Sequence, residues 1–170
     1  VGNFGGRVGS WADWGPGRVG VAQLLSDNAR VRAQLRATAQ PNAAQDNYTC
    51  IGMCLPDTFS SSTYTVLFAY CLTASLGIGI LTQQNAPSSP YVISTGSALG
   101  TGVVSRSTTT SYSPSTTALI ELERRMVPGS TTSIFNAIVN GTTISSWTDG
   151  SSLVGSGSAQ RRVAFCIEGN

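Results

Sequence analysis

The dipeptide Asn140-Gly141 constrains the fold of this chain more than any other short segment. It lies between residues 132–139 and 142–147, two runs that contain the β-branched and aromatic residues common in strands. Asn-Gly is the preferred sequence of a two-residue turn between antiparallel strands, because both turn positions need a positive φ. The pattern therefore predicts a β-hairpin with its turn at residues 140 and 141.

Most of the chain after residue 45 shows similar short runs separated by turn residues. In one of them Ala118, Ile120 and Leu122 alternate with Glu121 and Glu123, which predicts a strand with one apolar and one polar face. Eight or nine strands are predicted in all, over residues 48–55, 64–73, 76–83, 91–94, 102–112, 118–126, 132–139, 142–147 and 161–167. This spacing is typical of an antiparallel β-sandwich or jelly roll, so the fold is predicted to be mainly β.

The longest apolar run covers residues 66–81 and contains Gly77 and Gly79. It is shorter than the roughly 20 residues with which a helix crosses a membrane. We interpret it as one or two strands that are buried on both faces, and we expect no membrane span.

The first 45 residues differ from the rest of the chain, because they contain five Arg and only two Asp. Residues 1–17 are rich in Gly, which is typical of an irregular arm. Residues 18–39 are rich in Ala, Gln, Leu and Arg and are followed by Pro41, a composition that predicts one amphipathic helix. The predicted organisation is an Arg-bearing N-terminal arm and helix over residues 1–45 and an antiparallel β domain over residues 46–170.

Four arginines of the N-terminal segment are candidate nucleic-acid contacts. On a helix, Arg18, Arg32 and Arg36 would lie together beside an apolar stripe, with Arg30 apart from them. The planar guanidinium group suits bidentate contacts to phosphate, which favours a nucleic-acid partner. The alternative is a helix that docks on the β domain through its apolar stripe, with its arginines solvated.

The composition excludes several classes of catalytic site. The chain has no His and no Lys, and its ten basic residues are all Arg. It therefore has no imidazole base, no His metal ligand, no Schiff-base lysine and no P-loop. Glu121 and Glu123 are the one pair of neighbouring carboxylates, and on a strand their α-carbons would be about 6.6 Å apart, a spacing that a glycosidase could use. We interpret them instead as a solvated charge ladder balanced by Arg124 and Arg125, and we expect neither enzymatic activity nor a cofactor or metal.

Cysteines and glycosylation motifs indicate an alternative class of protein. The four cysteines allow three disulfide pairings, and two Asn-X-Thr motifs match the glycosylation signal. These candidate residues are Cys50, Cys54, Cys71, Cys166, Asn47 and Asn140. They fit a secreted, disulfide-bonded β-sandwich that binds carbohydrate or protein partners.

The arginines at 18, 30, 32 and 36, followed by the strands between residues 48 and 167, resemble the layout of coat proteins of small non-enveloped RNA viruses. The resemblance implies a jelly-roll subunit that assembles with copies of itself into a virion, with the N-terminal arm facing RNA. Only 11% of the residues are charged, so electrostatic repulsion between copies is weak, which also favours assembly. A subunit of an extracellular filament shares this assembly behaviour and is a further alternative.

Overall fold

A computed structural model of the protein describes residues 20–36, 48–57, 60–71, 78–84, 103–109 and 117–167, and this part of the chain is almost entirely β. It contains ten strands and a short 3-10 helix at Ser158–Gln160. The strands are β1 (Gly20–Gln23), β2 (Ala29–Arg36), β3 (Tyr48–Leu55), β4 (Tyr64–Cys71), β5 (Ile78–Gln84), β6 (Val103–Thr109), β7 (Thr117–Met126), β8 (Ser133–Val139), β9 (Thr142–Asp149) and β10 (Arg162–Ile167). The strand predicted at 91–94 and the arm residues 1–19 lie outside the described residues.

The strands form two antiparallel sheets. The first sheet has the order β1-β10-β3-β4-β5-β6, and the second has the order β2-β7-β8-β9. The prediction of a mainly β, antiparallel, sandwich-like fold is confirmed. Its jelly-roll part is not confirmed, because consecutive strands pair as up-and-down neighbours from β3 to β6 and from β7 to β9.

One hydrophobic core joins the two sheets. Ile51, Phe68 and Ile80 of the first sheet pack with Ile120 and Phe135 of the second, and all five are fully buried. Removing such a side chain from water contributes roughly 2 kcal/mol to folding. The core therefore holds the sheets face to face, and the other face of the second sheet carries charged and polar side chains together with Leu119, Ile134 and Ile138.

The apolar run at residues 66–81 contributes to β4 and β5 rather than to a helix. Phe68 belongs to the core, whereas Leu67 and Leu81 are buried without belonging to it. The interpretation of this run as strands buried on both faces is confirmed for the described residues. Among those residues, no helix is long and apolar enough to cross a membrane.

The helix predicted over residues 18–39 is wrong for the described part of that range, which forms β1 and β2. Strand β2 pairs with β7 along its whole length, from Ala29 opposite Arg124 to Arg36 opposite Thr117. Val31 is buried while Arg30 and Arg32 on either side of it are exposed, so the side chains alternate with a period of two. Arg30 and Arg32 therefore share one face, and Arg30 is not set apart as the helix would require. Pairing with β7 outweighs the helix propensity of the composition.

The hairpin predicted at residues 140 and 141 is confirmed and joins β8 to β9. Asn140 has φ 49° and Gly141 has φ 83°, as the two-residue turn requires. The backbone N–H of Leu119 donates to Oδ1 of Asn140 at 2.9 Å, and the backbone N–H of Asn140 donates to the carbonyl of Leu119 at 2.8 Å. These two bonds fix the turn against the start of β7.

Candidate functional site

The principal cluster of charged side chains lies on the outer face of the second sheet, the face turned away from the core. It consists of Arg30, Arg32, Glu121, Glu123 and Arg125, which we call the arginine–glutamate ladder. The β2–β7 register sets Arg30 opposite Glu123 and Arg32 opposite Glu121. Alternation along both strands brings these four side chains to the same face, with Arg125 next to Glu123 along β7.

The ladder is a connected set of ion pairs. Arg30 bridges both carboxylates, with Nη2 at 2.6 Å from Oε1 of Glu123 and Nη1 at 3.5 Å from Oε2 of Glu121. Nη2 of Arg32 lies 3.0 Å from Oε2 of Glu121. Arg125 approaches Glu123 through Nε at 2.9 Å and Nη2 at 3.2 Å. The glutamates do form a charge ladder, but the prediction that they are solvated is wrong because both are buried, and two of the three cations come from β2.

Glu123 is the most strongly held member of the ladder. Burial of its carboxyl opposes ionisation, but hydrogen bonds donated by Arg30, Asn136 and Arg125 outweigh this effect and lower its pKa to about 2. The amide nitrogen of Asn136 on β8 lies 3.0 Å from Oε2 of Glu123. Such a carboxylate stays ionised throughout the neutral range.

The charges of the ladder lie in two layers. The side chains of Glu121 and Glu123 are only 4% and 10% exposed, although both lie on the outer face of the sheet. The side chains of Arg30, Arg32 and Arg125 are 38%, 60% and 64% exposed. A molecule that approaches this face therefore meets guanidinium groups, and the carboxylates lie beneath them.

Arg124 does not balance the glutamate pair as predicted, because it lies on the opposite face of β7 and is buried. Its Nε and Nη2 donate to Oγ of Ser133 at 3.1 and 3.0 Å, and its Nη1 lies 3.4 Å from Sγ of Cys54. Its guanidinium also lies 5.6 Å from the centre of the Phe135 ring and 3.7 Å from Oδ1 of Asp27. Arg124 is thus part of the interior.

The surroundings of Arg124 form a second polar cluster at the end of the sandwich. Burial raises the pKa of the Cys54 thiol to about 11, although the nearby Arg124 opposes this shift. Arg161 donates to Asp27 from Nε at 3.1 Å and from Nη2 at 3.0 Å, and this lowers the pKa of the Asp27 carboxyl. The cleft lined by these residues has a volume of about 10 Å³, which is room for a single water molecule.

The structure describes the other predicted site residues only in part. Arg18 and Asn47 lie outside the described residues, as do the side chains of Arg36, Cys50, Cys71 and Cys166. The β3–β10 register nevertheless sets the backbone of Cys50 opposite that of Cys166. Cys54 is a free, buried cysteine, and Asn140 is exposed at the tip of the hairpin.

All five carboxylates whose side chains are described have fixed partners. Asp27, Asp57, Glu121 and Glu123 pair with arginines, and Asp149 accepts hydrogen bonds from the backbone N–H groups of Leu153 and Val154 at 2.9 and 2.8 Å. Within the described ranges, no three potential metal ligands lie close enough to hold an ion. The arrangement can therefore stabilise sheets and present guanidinium groups.

No protein-family model, curated protein or solved structure matches the chain.

Proposed function

We propose that this protein is a non-enzymatic structural subunit that assembles with copies of itself, as the coat protein of a small non-enveloped virus does. The observation that carries the proposal is the fixed pairing of the described carboxylates within the sandwich. Groups that are held in this way stabilise a subunit and leave none of these carboxylates poised for catalysis.

The pKa shifts support a structural role. A general acid or base works best when its pKa lies near the working pH, and a nucleophilic thiol needs a lowered pKa. The pKa of Glu123 is lowered to about 2 and that of Cys54 is raised to about 11. Both shifts move the pKa of the group away from the neutral range in which a catalytic group works.

The surface supports assembly. Only 11% of the residues of the chain are charged and its formal net charge is +2, so repulsion between copies is weak. The side chain of Leu25, in the turn between β1 and β2, is 97% exposed. Covering a leucine with a neighbouring subunit contributes up to about 2 kcal/mol to association.

Light scattering after size-exclusion chromatography, with the 260/280 nm absorbance ratio, tests the proposal. We expect a particle far larger than the 17.6 kDa chain. Leu25→Ser should weaken association without lowering the melting temperature, because the side chain has no core contact to lose. Val104→Ser, which removes an apolar side chain on β6 that is only 45% exposed, is the comparison variant and should weaken association less than Leu25→Ser. A 17.6 kDa monomer at all concentrations would refute the proposal.

A secreted, disulfide-bonded binding protein is the second candidate, and two observations favour it. The α-carbons of directly opposed residues in an antiparallel pair are about 4.5–5.5 Å apart, and this range suits a disulfide between Cys50 and Cys166. Asn140, the first residue of an Asn-Gly-Thr motif, is exposed. Non-reducing peptide mapping after secretion from a eukaryotic host should find this crosslink and a glycan on Asn140, with Cys54 unmodified. Reduced cysteines and a bare Asn140 would contradict this alternative.

A further inference from the structure

We propose that the outer face of the second sheet binds the phosphate backbone of nucleic acid, with Arg32 and Arg125 as the principal contacts. The proposal rests on the assembly function proposed above. It assigns the contact with the packaged nucleic acid to one face of a sheet. It adds Arg125, which lies far along the chain from the N-terminal segment. Three observations on the arginine–glutamate ladder carry the proposal.

The first observation is the layering of charge. Three guanidinium groups cover two carboxylates, so the ladder has one excess positive charge, and its exposed layer is cationic. Charge on the surface acts on a ligand more strongly than the opposite charge that lies deeper and is already paired. A polyanion is the partner with the complementary charge.

The second observation is that hydrogen-bond donors remain on the two most exposed arginines. An arginine has five N–H donors in a planar fork. Among the described residues, Arg32 contacts only Glu121, through Nη2, and Arg125 contacts Glu123 through Nε and Nη2. The donors that remain can reach phosphate oxygens, while the ion pairs beneath restrict the guanidinium groups and reduce the entropy lost on binding.

The third observation concerns what surrounds the ladder. The neighbouring outer-face positions on β2 and β9, Gln34, Ser146 and Thr148, are polar and uncharged, and those on β8 are Asn136 and the two apolar residues Ile134 and Ile138. No aromatic side chain lies on the described part of this face, so it offers no platform on which bases could stack. Recognition is therefore of the phosphate backbone and independent of sequence, and it should weaken steeply with salt.

Fluorescence anisotropy with a labelled 20-nucleotide oligouridylate at low salt tests the proposal. We expect the variant with Arg32→Gln and Arg125→Gln to bind about tenfold more weakly, with a smaller slope of log affinity against log salt. Arg162→Gln, which removes a half-exposed arginine paired with Asp57 on the first sheet, is the control and should change affinity less than about twofold. Gln34→Arg adds a guanidinium at an exposed position beside Arg32 and should raise affinity about threefold.

Equal affinities of the double variant and the Arg162→Gln control would overturn the proposal, as would an unchanged affinity of Gln34→Arg. Polygalacturonate serves as a competing polyanion, and binding of this acidic polysaccharide without binding of oligouridylate would also overturn it. Light scattering on the same samples separates the two proposals. If the chain stays a monomer but binds oligouridylate, only the self-assembly proposal is refuted. If it forms particles that contain no nucleic acid and its subunits do not bind oligouridylate, only the phosphate contact is refuted.

Discussion

At the scale of single residues, Glu123 determines how the second sheet responds to acid. Its pKa is about 2 in the folded protein against an ordinary value of 4.5, so its ionised form stabilises the fold. This stabilisation is complete above about pH 4.5 and is lost as the pH falls from about 4.5 towards 2. Glu123→Gln should cost about 2 kcal/mol at pH 7 and flatten that part of the stability profile.

Urea unfolding between pH 2 and pH 7 provides the measurement. Asp57→Asn is the control, because the Asp57–Arg162 ion pair is exposed and such pairs contribute at most about 1 kcal/mol. Parallel stability profiles for the wild type and Glu123→Gln would show that the ladder does not hold this carboxylate.

Arg124 and Arg125 are adjacent in the chain but lie in opposite environments, which makes them a matched pair for mutation. Arg124 is 2% exposed and faces Ser133, Cys54 and the Phe135 ring, whereas the side chain of Arg125 is 64% exposed. Arg124→Met should lower the free energy of unfolding by about 3 kcal/mol and Arg125→Met by less than about 1 kcal/mol. Chemical denaturation of both variants measures the difference, and equal losses would contradict the buried position of Arg124.

The position of Arg124 was implied by the same alternation that predicts β7. Ala118, Ile120 and Leu122 face the core, and the next position with the same parity is residue 124. Charge alone suggested that Arg124 would join the glutamate pair. Its burial is stabilised by contacts with Cys54 and Asp27, which lie far from it in the chain. These contacts depend on how the two sheets pack, so a local sequence pattern cannot predict them.

At the scale of elements, local sequence patterns predicted strands and turns correctly where the patterns were specific to those elements. The Asn-Gly turn, the alternation in β7 and the bounds of β3 were all predictable from neighbouring residues. Residues 18–39 were assigned to a helix because their composition favours helices, although Arg30 to Arg36 alternates with a period of two. The decisive partner of β2 is β7, which lies more than 80 residues away in the chain, so pairing could not be derived from the segment itself.

The positive φ of Gly141 allows the tight turn of the β8–β9 hairpin. Its φ of 83° is unfavourable for any residue with a Cβ, and a Cβ added there would contact nothing within 4 Å. Gly141→Ala should therefore destabilise the protein by about 1 kcal/mol through backbone strain alone. Thermal unfolding measures this loss. Gly150→Ala, which also meets no neighbouring atom and has no positive φ to maintain, should cost clearly less, and equal losses would contradict a strained turn.

At the scale of the whole molecule, the two proposals depend on different forces, and salt separates them. If the chain assembles as proposed, contacts between copies with 11% charged residues would be mainly apolar and hydrogen-bonded, whereas the proposed contacts to phosphate would be ionic. At about 1 M salt the screening length falls to about 3 Å. The purified particle should then lose nucleic acid, seen as a fall in the 260/280 nm absorbance ratio, while its mass by light scattering stays close to that of the protein shell. A matched sample in about 1 M sucrose, which adds no ions, should keep its nucleic acid. Dissociation to monomers in high salt would mean that the nucleic acid holds the assembly together and that contacts between subunits contribute little.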